Sequence, residues 1–227
     1  MYIFFDCKIS SYTDPEAVSI GLISENGSRF YAEIDNGITI DATIRDYVVG
    51  GLEYNDIGPF IGETTYEKSG IDHIDIALKD EDCTVVAMLR KWLNQFDEEE
   101  RNVTVCDTLC LKWMAFLKLI KNDRGILKNM GIRPVDITTL FDVAGYATTT
   151  NRLKYLEENG PLSYNALEHA ELARDCFESL MEEIEGNKPD TWKQCDKCGR
   201  LCREVEVYDD KQCCAMCKRL TMDEMLR

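Results

Sequence analysis

The chain opens Tyr2-Ile3-Phe4-Phe5-Asp6-Cys7-Lys8, a run of apolar and aromatic residues that ends on an acid. This is the pattern of a central strand, buried on both faces, whose far end opens onto a polar site. Side chains two apart along a strand share a face, so Asp6 and Lys8 point the same way. Asp6 is expected where a metal-binding carboxylate would sit. The lysine beside it is the anomaly.

Two further apolar runs, 17–24 and 28–35, flank Glu25-Asn26-Gly27, and Asn-Gly supplies the positive φ angles of a tight hairpin turn. Three consecutive strands in one antiparallel sheet are therefore expected. Asp41 to Val49 predicts a short capped helix, followed by a Gly- and Tyr-bearing loop through residue 70 that carries no assignable pattern. Val85, Val86, Met88, Leu89, Trp92 and Leu93 recur at helical spacing over 82–96. Asn102 to Cys106 reads as a short strand leading to Asp107. A helix follows over 109–120, with Trp113, Phe116, Leu117 and Ile120 on one face. Residues 133–150 read as loop and short helix, Asn159-Gly160-Pro161 as a break, and 165–185 as a long helix. The strand–helix alternation predicts an α/β layer arrangement around a mixed sheet. Gly186-Asn187-Lys188-Pro189 divides a domain over 1–185, through a linker at 186–192, from a small module over 193–227.

The chain has 227 residues, 44% hydrophobic and 30% charged, with a formal net charge of −16. This composition belongs to a globular chain rather than a disordered one. No apolar run approaches the roughly 18 residues of a membrane span, and the N-terminus reads as strand rather than signal peptide, so a cytoplasmic protein without membrane association is expected. The negative charge opposes undirected binding to phosphate backbones and suits docking on a basic partner. Six of the eleven cysteines fall between Cys195 and Cys217. That clustering indicates metal binding, with the other five expected as buried free thiols.

Three segments carry a resemblance. Phe4-Phe5-Asp6-Cys7-Lys8, Cys106-Asp107 through Leu111-Lys112-Trp113, and Tyr164-Asn165-Ala166-Leu167-Glu168-His169-Ala170 resemble, in order, the three motifs of DEDD-type 3′–5′ exonucleases. The resemblance implies a ribonuclease H-like fold over about residues 1–185. In that family four acids hold two divalent ions and a histidine serves as general base for the attacking water. Position by position, Asp6 is retained. Lys8 stands for the glutamate, Lys112 for the second aspartate, Tyr164 for the histidine and His169 for the last aspartate. Four carboxylates have become one carboxylate, two ammonium groups and an imidazole, so magnesium or manganese binding and catalysis are not expected. Two readings of the lysines stand side by side: they hold a phosphate or carboxylate without cutting it, or they pair with Asp6 and close the cleft. Asp107, Asp14 and Glu16 are the acids available for a relocated metal site, whereas Glu168 should point away from it. Trp92, Trp113 and Phe116 read as core, and His73 as a surface histidine.

Cys195-Asp196-Lys197-Cys198-Gly199 and Cys214-Ala215-Met216-Cys217 are two Cys-x-x-Cys knuckles of the kind that wraps paired thiolates around a tetrahedral zinc ion. Alternating residues 204–208 predict a strand between them, and the whole looks like a zinc ribbon with structural zinc. Cys202 and Cys213 are alternate ligands. Lys193, Lys197, Arg200, Arg203, Lys211, Lys218 and Arg219 make this the most basic part of the chain. The expectation is a non-catalytic exonuclease-fold protein that binds a protein or nucleic-acid partner, with a phage factor acting on a host protein as one setting. An active exonuclease with relocated acids, and an acidic nucleic-acid mimic occupying a basic partner, are the alternatives.

Overall fold

The computed structural model describes residues 1–54, 56–68, 71–96, 102–121, 123–131, 134–157, 164–186, 193–194, 201–202, 205–208 and 211–214. The chain divides into two compact units, Met1–Leu180 and Met181–Arg227. In the first, β1 (Tyr2–Ile9), β2 (Ala17–Ser24) and β3 (Arg29–Ile34) follow one another as expected, paired antiparallel. Gly27 takes the positive φ of the hairpin turn (97°). Next come α1 (Arg45–Val49), β4 (Phe60–Lys68), β5 (Ile71–Asp80), α2 (Asp82–Leu93), β6 (Val103–Cys106) and α3 (Leu109–Leu119). The order closes with α4 (Arg124–Met130), β7 (Val135–Asp136), α5 (Ile137–Val143), α6 (Arg152–Tyr155) and α7 (Ala166–Gly186).

The seven strands form one mixed sheet in the order β4-β5-β3-β2-β1-β6-β7, with β1 paired antiparallel to β2 and parallel to β6. Helices flank it. On one face Ile3, Phe5 and Cys7 pack with Val85, Leu89 and Trp92 of α2 and Phe116 of α3. On the other, Tyr2 and Phe4 meet Phe177 of α7, with ring centroids 4.8 and 5.6 Å apart. Trp92 and Phe116 are fully buried and Trp113 is packed against the core, as their helical spacing predicts.

Two expectations need correction. The segment running to residue 70 is not all loop, because β4 and the β5 strand after it form the outer hairpin of the sheet. β4 is an edge strand with exposed or half-buried residues on both faces, so it lacks the alternation that marks a half-buried strand. The helix expected from Asp41 begins at Arg45. Asp41 instead closes a turn, its Oδ1 accepting from Thr43 N at 2.9 Å.

Helix α7 is placed by close backbone contact. A Cβ on Gly21 would lie 2.3 Å from Leu167 N and 2.4 Å from Ala166 C, so only glycine lets the first turn sit directly on β2. Asn165 caps that turn, its Oδ1 accepting from Leu167 N at 2.7 Å and Glu168 N at 3.2 Å. Its Nδ2 donates to Gly51 O at 3.2 Å. The 51–54 loop is held in turn by buried Glu33, whose Oε1 accepts from Glu53 N at 2.6 Å and Tyr54 N at 3.0 Å. Ala166, Ala170 and Ala173 are buried at i, i+4, i+7, keeping the helix close to the sheet.

In the second unit β8 (Lys193–Gln194) pairs antiparallel with β9 (Leu201–Cys202), and β10 (Val205–Tyr208) with β11 (Lys211–Cys214). The strand expected over 204–208 is present as β10. Cys195, Cys198 and Cys217, like the break at 159–161, lie outside the described residues. Cys202, Cys213 and Cys214 are placed by backbone alone.

Candidate functional site

Asp6 lies on β1 one residue past the last position paired with β6, opposite Gly21 across the β2 ladder, and is 2% exposed. The β1–β2 register shifts between Lys8 and Ile9, a bulge of the kind that re-aims side chains at a strand end. Lys8 Nζ lies 2.8 Å from Asp6 Oδ2, and Lys112, from the first turn of α3, pairs with Asp6 Oδ1. Lys112 Nζ also donates to the Asp107 carbonyl at 2.8 Å. One buried carboxylate is thus clasped by two ammonium groups, leaving one positive charge in excess.

The electrostatics follow. Burial by itself would raise the Asp6 carboxyl, but attraction from Lys112 and then Lys8, with a smaller contribution from His169, holds it well below the usual carboxylate range. Lys112 is opposed by burial and nevertheless raised, because Asp6 is so near. Lys8 goes the other way: burial outweighs its attraction to Asp6 and lowers its hold on the proton. Lys112 is therefore the principal counter-ion of Asp6, and Lys8 the less satisfied one.

Asp107 belongs to a different pair. Arg152 grips it in a fork, Nε to Oδ2 at 3.0 Å and Nη2 to Oδ1 at 2.8 Å, and Thr138 Oγ1 donates to Oδ1 at 2.9 Å. The Arg152 guanidinium also lies 4.1 Å over the Phe141 ring. Burial would raise the Asp107 carboxyl, and the hydrogen bond and charge of Arg152 lower it. Asp107 is fixed as an internal ion pair rather than offered to a metal. Between the two pairs, Thr108 takes a left-handed conformation at φ 57°, a strained position for a β-branched residue.

Two cavities meet at Thr108. The smaller, ≈ 260 Å³, is lined by Asp107, Arg152, the threonines 148–150 and His169. The larger, ≈ 480 Å³, has Lys8 and Lys112 in its lining together with Tyr47 and Tyr164. Tyr164 packs edge-on against Tyr47, ring centroids 5.1 Å apart.

Asp6, Lys8 and Lys112 thus come together as expected, with His169 near enough to bear on Asp6 and Tyr164 at the cleft mouth. Glu168 is exposed. Asp14 is 84% exposed and pairs with Lys118, which removes it from the site, and Glu16 is exposed. Among the described residues no three His, Cys, Asp or Glu side chains converge closely enough to hold a metal ion. His73 is not on the surface: it is 2% exposed, hydrogen-bonded through Nδ1 to Ser28 Oγ at 3.0 Å and stacked on Tyr66. Of the five thiols expected to be buried, Cys7, Cys106 and Cys176 are, whereas Cys83 and Cys110 are exposed. Burial pushes the Cys7 and Cys106 thiols well up, which disfavours the nucleophilic thiolate. Arg152, Tyr12 and Tyr47 were not signalled by any spacing in the sequence.

No protein-family profile matches the chain, and no curated protein matches it in sequence.

Proposed function

We propose that the first unit is a ribonuclease H-like domain of the DEDD exonuclease type that has lost hydrolysis and serves as a binding module. What carries this reading is the clasp of Asp6 by Lys8 and Lys112. Two fixed ammonium groups occupy the surroundings that the family gives to metal ions, and they repel a divalent cation while holding the one remaining carboxylate. The resemblance is supported by convergence: β1, the β6–α3 turn and the start of α7, which carry the three motif-like segments, meet at one point. The mixed sheet, with β1 in its interior between β2 and β6, is compatible with that fold. The expected result is that purified protein leaves 3′-labelled single-stranded DNA and RNA intact in Mg²⁺ or Mn²⁺. Metal-dependent shortening from the 3′ end, abolished by Asp6→Ala, would overturn the proposal.

The second unit, on this reading, is a zinc ribbon. The β8–β9 hairpin brackets the Cys195/Cys198 pair, and β11 ends on Cys214, the first thiol of the other pair. A module of this size has too small a core to hold together without metal. One zinc per chain is expected on denaturation in the presence of a metallochromic dye. Protein prepared with less than about half an equivalent, or unchanged protease resistance of this unit after chelation, would remove the assignment.

A further inference from the structure

The larger cleft has a composition of its own, and it says what kind of group enters. Its walls are apolar, made by Ile9, Ile44, Val48 and Leu111, while Lys8 and Lys112 are the charged groups among its lining residues. Lys112 donates to Asp6 and to the Asp107 carbonyl. Lys8, with 13% of its side chain exposed, has Asp6 as its one ion-pair partner among the described residues. An ammonium group has three donors, so Lys8 retains hydrogen-bonding capacity inside an apolar cleft. Its remaining donors face the cleft, and an anionic oxygen is the complementary group.

The excess charge is a single positive one, set in a chain of net charge −16. A ligand bearing one negative charge balances the site, whereas a polyphosphate would meet the field of the whole molecule. At the mouth Tyr12, Tyr47 and Tyr164 are 64%, 54% and 40% exposed. They offer flat faces and hydroxyls beyond the cleft, where a ligand that continues outward would lie.

We propose that this cleft seats the C-terminus of a partner polypeptide ending in an apolar residue. The terminal carboxylate meets Lys8, the last side chain fills the apolar walls, and the preceding residues cross the three tyrosines. The inference rests on the reading of this domain as a binding module and names its partner by chemistry.

The test uses the full-length chain, N-acetyl-Ala-Leu-Phe with a free carboxylate, and the same peptide as its C-terminal amide. Calorimetric titration is expected to show the acid binding about ten-fold or more tighter than the amide, the scale of a charge-assisted hydrogen bond. Lys8→Met is expected to bring the two affinities together. Tyr47→Ala, at a position 54% exposed, is expected to weaken both forms alike, with the unfolding midpoint of the variant measured alongside. Equal affinity of acid and amide in the unsubstituted protein would overturn the inference, as would 3-phenylpropionate binding as tightly as the tripeptide acid. Displacement of the peptide by a six-nucleotide single strand at equal concentration would overturn it too. Each of these leaves the non-catalytic reading standing, whereas nuclease activity would remove that reading by itself.

Discussion

Replacing Asp6 with alanine is expected to lower the unfolding midpoint of the Met1–Leu180 unit by roughly 6–20 °C. Lys8 and Lys112 have side-chain exposures of 13% and 19%, and without Asp6 two ammonium groups face each other with no anion between them. Removing one partner of a buried ion pair costs about 3–5 kcal/mol, because a charge remains out of water and unpaired. In a unit of this length 1 kcal/mol corresponds to roughly 2–4 °C. The companion variant separates charge from packing: Asp6→Leu combined with Lys8→Met and Lys112→Met removes all three charges and is expected to recover most of the loss. A small effect of Asp6→Ala, or no recovery in the triple variant, would show that the clasp is not what holds this strand end. The pH dependence has a definite sign. The Asp6 carboxyl titrates below its ordinary value of 3.8 in the folded chain, so its contribution is complete above roughly pH 5 and is lost as pH falls through 3.8 and below. Asp107 acts in the same direction. Lys112 is raised above 10.5, so its contribution is complete below that value and is lost only in strong alkali. The triple variant should therefore lose less stability than the natural chain between about pH 5 and 3.

The second large effect concerns a residue with no side chain. Gly21→Val is expected to destabilise the same unit by about 3 kcal/mol or more, since overpacking against immobile neighbours forces main-chain movement. The atoms that a Cβ would meet at 2.3–2.4 Å are main-chain atoms of Ala166 and Leu167, which have no alternative rotamer to adopt. Helix α7 must lift from β2, and the Asn165 bond to Gly51 O loosens with it. Gly58→Ala is the control: nothing lies within 4 Å of its Cβ position, and no change beyond about 0.5 kcal/mol is expected there. Equal urea midpoints for the two variants would refute the packing argument. The same contact gives the start of α7 structural tasks of its own. Asn165 caps the helix and Ala166 and Ala170 face the sheet, tasks that persist whatever the chemistry.

Much of the fold was legible because its signals are local. The apolar runs 17–24 and 28–35 around Asn26-Gly27, and the helical spacing of Val85, Leu89 and Trp92, predicted elements that the structure contains. β4 escaped because an edge strand wetted on both faces shows no period. His73 escaped because its burial depends on Ser28, 45 residues away, and on Tyr66. Arg152 had no motif to announce it, and its partner Asp107 is likewise 45 residues distant.

By itself the amino-acid sequence determined which charges share the face of the first strand: Asp6 and, two residues on, Lys8. That follows from residue identity and strand alternation, which are properties of a few neighbouring positions. Only the tertiary structure decided how those charges are spent. Lys112 reaches Asp6 across 106 residues of chain, Arg152 takes Asp107 out of reach of any ion, and Lys8 is left facing an apolar cleft walled by segments distant in sequence. Pairing across such separations depends on how elements pack, and packing leaves no periodic trace in the residues that meet.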